Sequence, residues 1–170
     1  MKYLILVCGP IAAGKSTWLN DWTICDGHSL IIQSDKIREE LYGPDLQAHQ
    51  TPAEHHEVWT AIHDQVWEWA HRPDSRQYCN VEGVLSKSEQ RQALYDLVSD
   101  VEDVTIEVQL MWAPLAECLQ RNAQRPPHVR VPEDIVARKW LEWQEELPRL
   151  VNDLQWCKYI QIEKGELKNV

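Results

Sequence analysis

Phenylalanine is absent from this sequence, and no apolar run in it is long enough to span a lipid bilayer. The chain also lacks the charged and then apolar segment of a secretory leader. These absences argue against a membrane or exported protein, so we expect no membrane partner. Because Phe is missing, the nine Trp and five Tyr must supply the large aromatic side chains of the core.

Paired cysteines are also lacking. The five cysteines are odd in number and far apart, with no CxxC pair and no Cys/His spacing typical of zinc sites: Cys8, Cys25, Cys79, Cys118 and Cys157. We therefore expect reduced, partly buried thiols in a cytoplasmic protein.

Histidines cluster around the middle of the chain, at positions 49, 55, 56 and 63. Two of them are adjacent, and no carboxylate pattern accompanies them that would complete a metal site. We interpret them as solvated or capping residues.

Basic residues are few, with 17 Lys and Arg against 27 Asp and Glu, for a net charge of −10. This balance argues against a protein that coats itself with nucleic acid. Residues 121–139 are the exception, because they carry five cationic side chains and only two acidic ones. A basic segment on an acidic body suits a protein that handles phosphates at one place, although a charged helix face could look the same.

Only six glycines are present, yet two of them belong to the most informative motif. The apolar run 3–8 predicts a buried strand, and GPIAAGKST follows it directly as a GxxxxGK[ST] loop that opens a helix. Backbone N–H groups of such a loop bind the phosphates of a nucleoside triphosphate, the lysine reaches the β- and γ-phosphates, and the serine ligates Mg²⁺. The predicted ATP-binding residues here are Gly9, Ala12, Ala13, Gly14, Lys15, Ser16 and Thr17, with Ser16 as the Mg²⁺ ligand.

Strand and helix patterns alternate along the 170 residues, which predicts a single α/β domain with the P-loop NTPase fold. We expect a central, mostly parallel sheet of four to five strands flanked by helices. The predicted strands are 3–8, 29–33, 78–81, 104–112 and 158–163. The predicted helices are 15–22, 35–42, 53–71, 87–99, one from Pro114 and one from about Pro132.

Catalytic side chains in such a sheet belong where strands end, on the same edge as the phosphate loop. Asp35 and Arg38 follow the second strand on one side of a helical turn, so a carboxylate could accept a hydroxyl proton while an arginine holds an acceptor phosphate. The alternative is a helix cap and a solvated arginine. Glu82 ends the third strand, where it could order a magnesium-bound water, orient Arg38, touch the acceptor or merely end the strand.

The third candidate part of the active site is the segment 121–132, which we interpret as a lid. Arg121 and Arg125 are four residues apart at a helix end, and two prolines then force a loop. A mobile arginine that closes over the γ-phosphate would neutralise charge and exclude water. We expect both arginines to bind ATP, with Arg125 nearest to the transferred phosphate.

Three segments together resemble the P-loop kinases related to the bacteriophage 5′-hydroxyl polynucleotide kinase: GPIAAGKSTW, SDKIREELYG and QRNAQRPPHVRVPEDIV. The resemblance covers about residues 1–150. It implies that Lys15 and Ser16 bind ATP phosphates and Mg²⁺, that Asp35 is the general base, that Arg38 holds a 3′-phosphate and that Arg125 contacts the donor. The family commonly has an aspartate and a Thr-Asn pair where this chain has Glu82-Gly83-Val84. The phage enzyme also has a phosphatase segment with a DxDG motif. This motif is missing here, so no 3′-phosphatase activity is expected.

The expected function is ATP-dependent transfer of a phosphoryl group to an alcohol, with the 5′ end of DNA or RNA as the nucleic-acid substrate. A hydroxymethylated base in DNA, or a small nucleoside, nucleotide or antibiotic-like alcohol, remains an alternative acceptor. A non-catalytic ATP-binding module is the alternative from another class. No stable protein partner is predicted.

Overall fold

A five-stranded, wholly parallel sheet organises the chain, in the strand order β2-β3-β1-β4-β5. The computed structural model describes residues 1–23, 28–73 and 76–164. The strands are β1 (Lys2–Cys8), β2 (Ser29–Gln33), β3 (Tyr78–Glu82), β4 (Val104–Trp112) and β5 (Tyr159–Lys164). The predicted fold class is therefore confirmed, and each strand lies within a residue or two of its predicted bounds.

In the part of the chain that the structure describes, six α-helices connect and cover these strands: α1 (Lys15–Thr23), α2 (Ser34–Tyr42), α3 (Pro52–His71), α4 (Ser88–Asp96), α5 (Leu115–Ala123) and α6 (Glu133–Glu146). The α4 helix is shorter than the predicted 87–99. Short 3₁₀ segments at Pro127–Val129 and Leu147–Gln155 were not predicted. Pro148 has no N–H to donate within a helix, and it lies where α6 gives way to the second of these segments.

Strand β1 lies in the middle of the sheet, and alternate side chains of it pack on opposite faces. Leu4 and Leu6 face the larger apolar cluster, which includes Trp69 and Trp143. Ile5 and Val7 face a smaller cluster built with α1 and α5. Both faces of this strand are thus covered, which explains its uninterrupted apolar sequence.

The four described cysteines, Cys8, Cys79, Cys118 and Cys157, are buried, and none of them forms a disulfide within the described residues. Burial raises the pKa of the Cys8 thiol to about 12. Cys25 lies outside the described residues. Within the ranges described, no helix has the length and apolarity needed to cross a membrane.

Candidate active site

The loop between β1 and α1 has the backbone that a phosphate-binding loop requires. Gly9 and Gly14 have φ angles of 138° and 105°, and Ala12 also has a positive φ, of 61°. A Cβ on Gly9 would lie 2.2 Å from the carbonyl oxygen of Met111, so only glycine fits beside β4. The motif predicted from sequence therefore lies at the carboxyl edge of the sheet, directly before α1.

Lys15 is buried at the start of α1 and folds back over this loop. Its Nζ donates hydrogen bonds to the carbonyl oxygens of Gly9 at 3.1 Å and Pro10 at 2.7 Å. Burial lowers the pKa of Lys15, while the negative charges of Glu82 and Asp35 act in the opposite direction. The ammonium group is held above the loop by bonds that it can exchange for phosphate oxygens.

Ser16 and Glu82 form the part of the site that fits Mg²⁺. The Ser16 hydroxyl donates to Glu82 Oε1 at 2.6 Å, and Gln33 Nε2 donates to Glu82 Oε2. Because the serine proton is directed at Glu82, the oxygen lone pairs remain available to a metal. Oxygen donors beside a phosphate loop suit Mg²⁺, and the buried Gln33 Oε1 has no hydrogen-bond partner among the described residues. The donor set therefore fits the ion that the loop motif implies.

Asp35 and Arg38 lie on α2 and line the same cleft as Lys15. Asp35 is exposed in the first turn of the helix, while Arg38 is buried. Arg38 Nη1 donates to the carbonyl of His49 at 2.7 Å, and its Nη2 lies 3.1 Å from His55 Nδ1. The solvated-arginine alternative is therefore wrong, because the guanidinium is fixed by the loop and helix that follow α2.

His49 and His55 make side-chain contacts that the sequence did not predict, although His55 and His56 are exposed, as the interpretation of solvated residues has it. His49 lies 2.8 Å from Glu54, and Glu54 completes a capping box with Thr51 at the start of α3. Hydrogen bonds from Thr51 and His49 lower the pKa of Glu54 to about 2. The spacing Thr51 to Glu54 is the sequence signal for this cap, whereas nothing local indicates that His55 contacts Arg38.

Arg121 and Arg125 approach the phosphate loop from the end of α5. Arg121 pairs with Glu117 at 2.9 Å, and its Nη1 lies 3.5 Å from the carbonyl of Ala12. Arg125 is half-buried and lines the cleft, and its positive charge contributes to lowering the pKa of Lys15. Over the ranges that the structure describes, its guanidinium has neither a hydrogen bond nor an ion pair, so it remains available to an anion.

Two hydrogen bonds between Asn122 and Val131 join the ends of the segment predicted as the lid. Asn122 is buried, its Nδ2 donates to the Val131 carbonyl at 2.7 Å, and its Oδ1 accepts from the Val131 N–H at 3.1 Å. Inside the loop, Arg130 donates to the carbonyl of Arg125 at 2.9 Å. The segment predicted as the lid, residues 121–132, thus begins in the last turn of α5 and continues through a 3₁₀ turn, with Asn122 and Val131 joined near its two ends and Arg125 between them. Its action as a lid stays a prediction.

The cleft is positively charged although the chain is acidic. Its volume is about 1560 Å³, and it extends from the phosphate loop past α2 to α3 and α6. Three acidic side chains line it, Asp21, Asp35 and Glu82. Seven cationic ones do so: Lys15, Lys36, Arg38, Arg121, Arg125, Arg138 and Lys139. Two of these are in ion pairs with glutamates that do not line the cleft, Arg121 with Glu117 and Lys139 with Glu142. The cleft concentrates positive charge where phosphates would bind.

A family model described as an AAA domain, AAA_33, matches residues 4–150. The chain belongs to this family. The match covers β1 to α6, and so includes the phosphate loop, Asp35, Arg38 and the lid of this AAA domain.

Solved structures share the fold of the AAA domain at low sequence identity. A chain of the Pnkp1/Rnl/Hen1 RNA repair complex is 15% identical with a TM-score of 0.70, over 87% of this chain and 46% of that chain. A chain of the AvrRxo1-ORF1:-ORF2 crystal structure with ATP is 14% identical with a TM-score of 0.70, over 97% of this chain and 55% of that chain. A structure of the PezAT chromosomal toxin-antitoxin system of Streptococcus pneumoniae is 14% identical with a TM-score of 0.60, over 97% and 69%.

These likenesses show the fold alone, since all three identities are 15% or lower. The AAA domain spans about half the length of the first two chains. No curated protein matches its sequence at a significant level. The P-loop kinase resemblance is confirmed at the level of the fold, and the ATP-binding loop is part of that fold.

A buried ion-pair network behind the cleft was not predicted. Arg91 on α4 is fully buried, with its Nε 2.6 Å from Asp153 Oδ2 and its Nη2 2.8 Å from Glu146 Oε1. Its Nη1 donates to the carbonyl of Leu85 at 3.0 Å, and Leu85 lines the cleft of the AAA domain. The network therefore links α4 and the segment after α6 to the backbone beside the site.

Proposed function

We propose that the protein is a magnesium-dependent kinase that transfers the γ-phosphate of ATP to an alcohol, namely the 5′-hydroxyl of a DNA or RNA end. One observation carries this proposal. Asp35 and Arg38, which binding of ATP alone would not require, line the same cleft as Lys15 and Arg125. A non-catalytic ATP-binding module would have no use for a carboxylate and a fixed arginine there.

The donor half of the proposed reaction is built from the phosphate loop and the lid. Backbone N–H groups of the loop bind the phosphates, and Lys15 and Arg125 neutralise charge on the transferred group. Arg121 supports the loop through its contact with Ala12. Mg²⁺, held through Ser16 with Glu82 behind it, would supply further neutralisation of the phosphate oxygens.

The acceptor half is built from α2. Asp35 accepts the proton of the attacking hydroxyl, whose oxygen forms the new bond to phosphorus while the bond to the bridging β–γ oxygen breaks and ADP leaves. Arg38 holds an acceptor phosphate by charge-assisted hydrogen bonds. His55 and the carbonyl of His49 keep that guanidinium in the cleft.

The charge of the cleft supports a polyanionic acceptor. Seven cationic side chains against three acidic ones line the cleft, although the net charge of the chain is −10. The RNA repair complex among the structural neighbours is consistent with a nucleic-acid end. Because the chain as a whole is acidic, with a net charge of −10, a small alcohol or a hydroxymethylated base is the second candidate acceptor. We further propose one kinase domain over residues 1–170, with residues 121–132 as its lid, in the cytoplasm.

The test is a transfer assay with γ-labelled ATP and a panel of acceptors: 5′-hydroxyl oligonucleotides, hydroxymethyl-base DNA, nucleosides and small alcohols. We expect label on the oligonucleotides. Label on small molecules alone would overturn the proposal that the acceptor is a nucleic-acid end. Tight ATP binding with no label on any acceptor would overturn the proposal that the protein is a kinase.

The matched variants are Asp35→Asn and Asp45→Asn. Loss of the general base should lower kcat by about 10²- to 10⁴-fold with ATP binding unchanged. Asp45 is exposed in the loop after α2 and does not line the cleft, so its variant should keep wild-type activity. Full activity in Asp35→Asn would remove this residue as the base.

A further inference from the structure

Gln33 is a polar residue in a position where the sheet would accept an apolar one. It is the last residue of β2, it is 8% exposed, and it lies beside Glu82 in the parallel register of β2 and β3. It precedes α2, yet its side chain makes no capping hydrogen bond to that helix. Neither the strand nor the helix therefore explains a buried amide here.

Only half of this amide is satisfied. Nε2 donates to Glu82 Oε2, whereas the buried Oε1 has no hydrogen-bond partner among the residues that the structure describes. The orientation of the amide follows from Glu82, because an ionised carboxylate only accepts hydrogen bonds. A buried carbonyl oxygen without a partner is costly, so its presence calls for a ligand that supplies a donor.

Gln33 is connected through Glu82 to Ser16, the predicted ligand of Mg²⁺. Glu82 joins the two residues, accepting from Ser16 Oγ on one oxygen and from Gln33 Nε2 on the other. Gln33 also lines the cleft beside the phosphate loop. The chemistry that fits an acceptor oxygen at this place is a water molecule polarised by a divalent cation.

We propose that Gln33 is a positioning residue of the metal site, whose Oε1 accepts a hydrogen bond from a water ligand of Mg²⁺ while its Nε2 orients Glu82 toward Ser16. This inference rests on the proposed function for the identity of the ion. The phosphate-loop motif does not itself assign a part in metal binding to a residue at the end of β2. Outer partners of this kind commonly change metal affinity by one to two orders of magnitude.

The experiment measures Mn²⁺ binding to the protein–ADP complex by electron paramagnetic resonance, with no acceptor present. Gln33→Met keeps the length of the side chain and removes both hydrogen-bonding groups. We expect its Kd for Mn²⁺ to rise about tenfold. Its affinity for ADP in excess EDTA should stay within about twofold of wild type, since the amide acts on the ion and not on the nucleotide.

Gln109→Met is the matched control. Gln109 is a buried glutamine of the same sheet, 5% exposed on β4, and does not line the cleft. Its variant should bind Mn²⁺ as wild type does. In a double-mutant cycle, Glu82→Gln and Gln33→Met should be strongly non-additive, because Gln33 acts through the carboxylate.

A Kd for Mn²⁺ within twofold of wild type in Gln33→Met would overturn the proposal, as would an equal loss of metal-free ADP binding. If that variant does not fold, Gln33→Asn keeps an amide that is one methylene too short. It should weaken Mn²⁺ binding in the same direction, and unchanged affinity would again overturn the proposal. Failure of the phosphotransfer assay would leave this result intact, because the measurement needs no acceptor.

Discussion

His55 Nδ1 lies 3.1 Å from Arg38 Nη2, which makes a histidine of α3 the partner of the arginine proposed to bind the acceptor. A guanidinium only donates hydrogen bonds, so His55 must accept through an unprotonated Nδ1 and carry its proton on Nε2. Partial burial, followed by the positive charges of Arg38 and Lys139, lowers the pKa of His55 below its ordinary value of 6.5, while Glu54 acts in the opposite direction. The pair is therefore intact when His55 is neutral.

We expect the KM for a phosphorylated acceptor to rise as the pH falls. Because the pKa of His55 is lowered, the imidazole stays neutral at pH 6.5 and becomes charged only below it. The imidazolium cannot accept from Arg38 and repels it, and loss of a charge-assisted hydrogen bond should raise the KM about tenfold. Steady-state kinetics between pH 5 and 8 would show this rise for the acceptor and not for ATP.

Two variants at position 55 make the test sharper. His55→Asn retains a neutral acceptor atom and should abolish the acid limb of the profile, whereas His55→Lys should reproduce the acid state at pH 7.5. His56→Asn, at an exposed neighbouring position, should behave as wild type. An unchanged acid limb in His55→Asn would assign the titration to another group.

The donor half of the site could be predicted from sequence because its residues are adjacent in the chain. Gly9, Gly14 and Lys15 form one loop after one strand, and the apolar run that precedes them needs no distant partner to be recognised. The strands could be predicted for the same reason, since each is a local pattern. The fold class then followed from their alternation with helices.

The remaining features depend on contacts between distant residues. Gln33 meets Glu82 across 49 positions, and Arg91 meets Asp153 across 62. Arg38 was a predicted acceptor-binding residue, but its contacts with His49 and His55 depend on the packing of α3 beside α2 and have no local sequence signal. Asn122 was within the predicted lid, but the sequence around a single asparagine does not indicate that its side chain hydrogen-bonds to the backbone of Val131.

Arg125 is expected to act on the transferred phosphate. Since its guanidinium is unpaired within the described chain and lines the cleft, Arg125→Ala should lower kcat by about 10³-fold through loss of charge neutralisation. Arg125→Lys should recover part of this, because it keeps the charge but not the planar fork. Single-turnover measurements with saturating ATP would give these rates.

The matched control for the lid is Arg149→Ala. Arg149 is exposed in the 3₁₀ segment after α6, outside the cleft, and its variant should leave kcat unchanged. Equal rates for Arg125→Ala and Arg149→Ala would show that the lid arginine does not act in the transfer step.

Asp153 should matter to stability far more than its place near the end of the described chain suggests. It accepts from Arg91 Nε at 2.6 Å and from the Tyr95 hydroxyl at 2.8 Å, and it is 3% exposed. Of the charged partners that buried Arg91 has among the described residues, Asp153→Ala would leave Glu146 alone. Breaking a buried pair in this way should lower the free energy of unfolding by about 3–5 kcal/mol.

An exposed pair provides the comparison. His71 lies 3.1 Å from Asp100, whose side chain is 75% exposed, and Asp100→Ala should change the free energy of unfolding by less than about 1 kcal/mol. Urea denaturation of both variants at pH 7.5 measures the difference. Because Arg91 also donates to the carbonyl of Leu85 beside the cleft, Asp153→Ala should weaken ATP binding as well. Equal stability of the two variants would mean that the buried network does not hold α4 and the segment after α6 together.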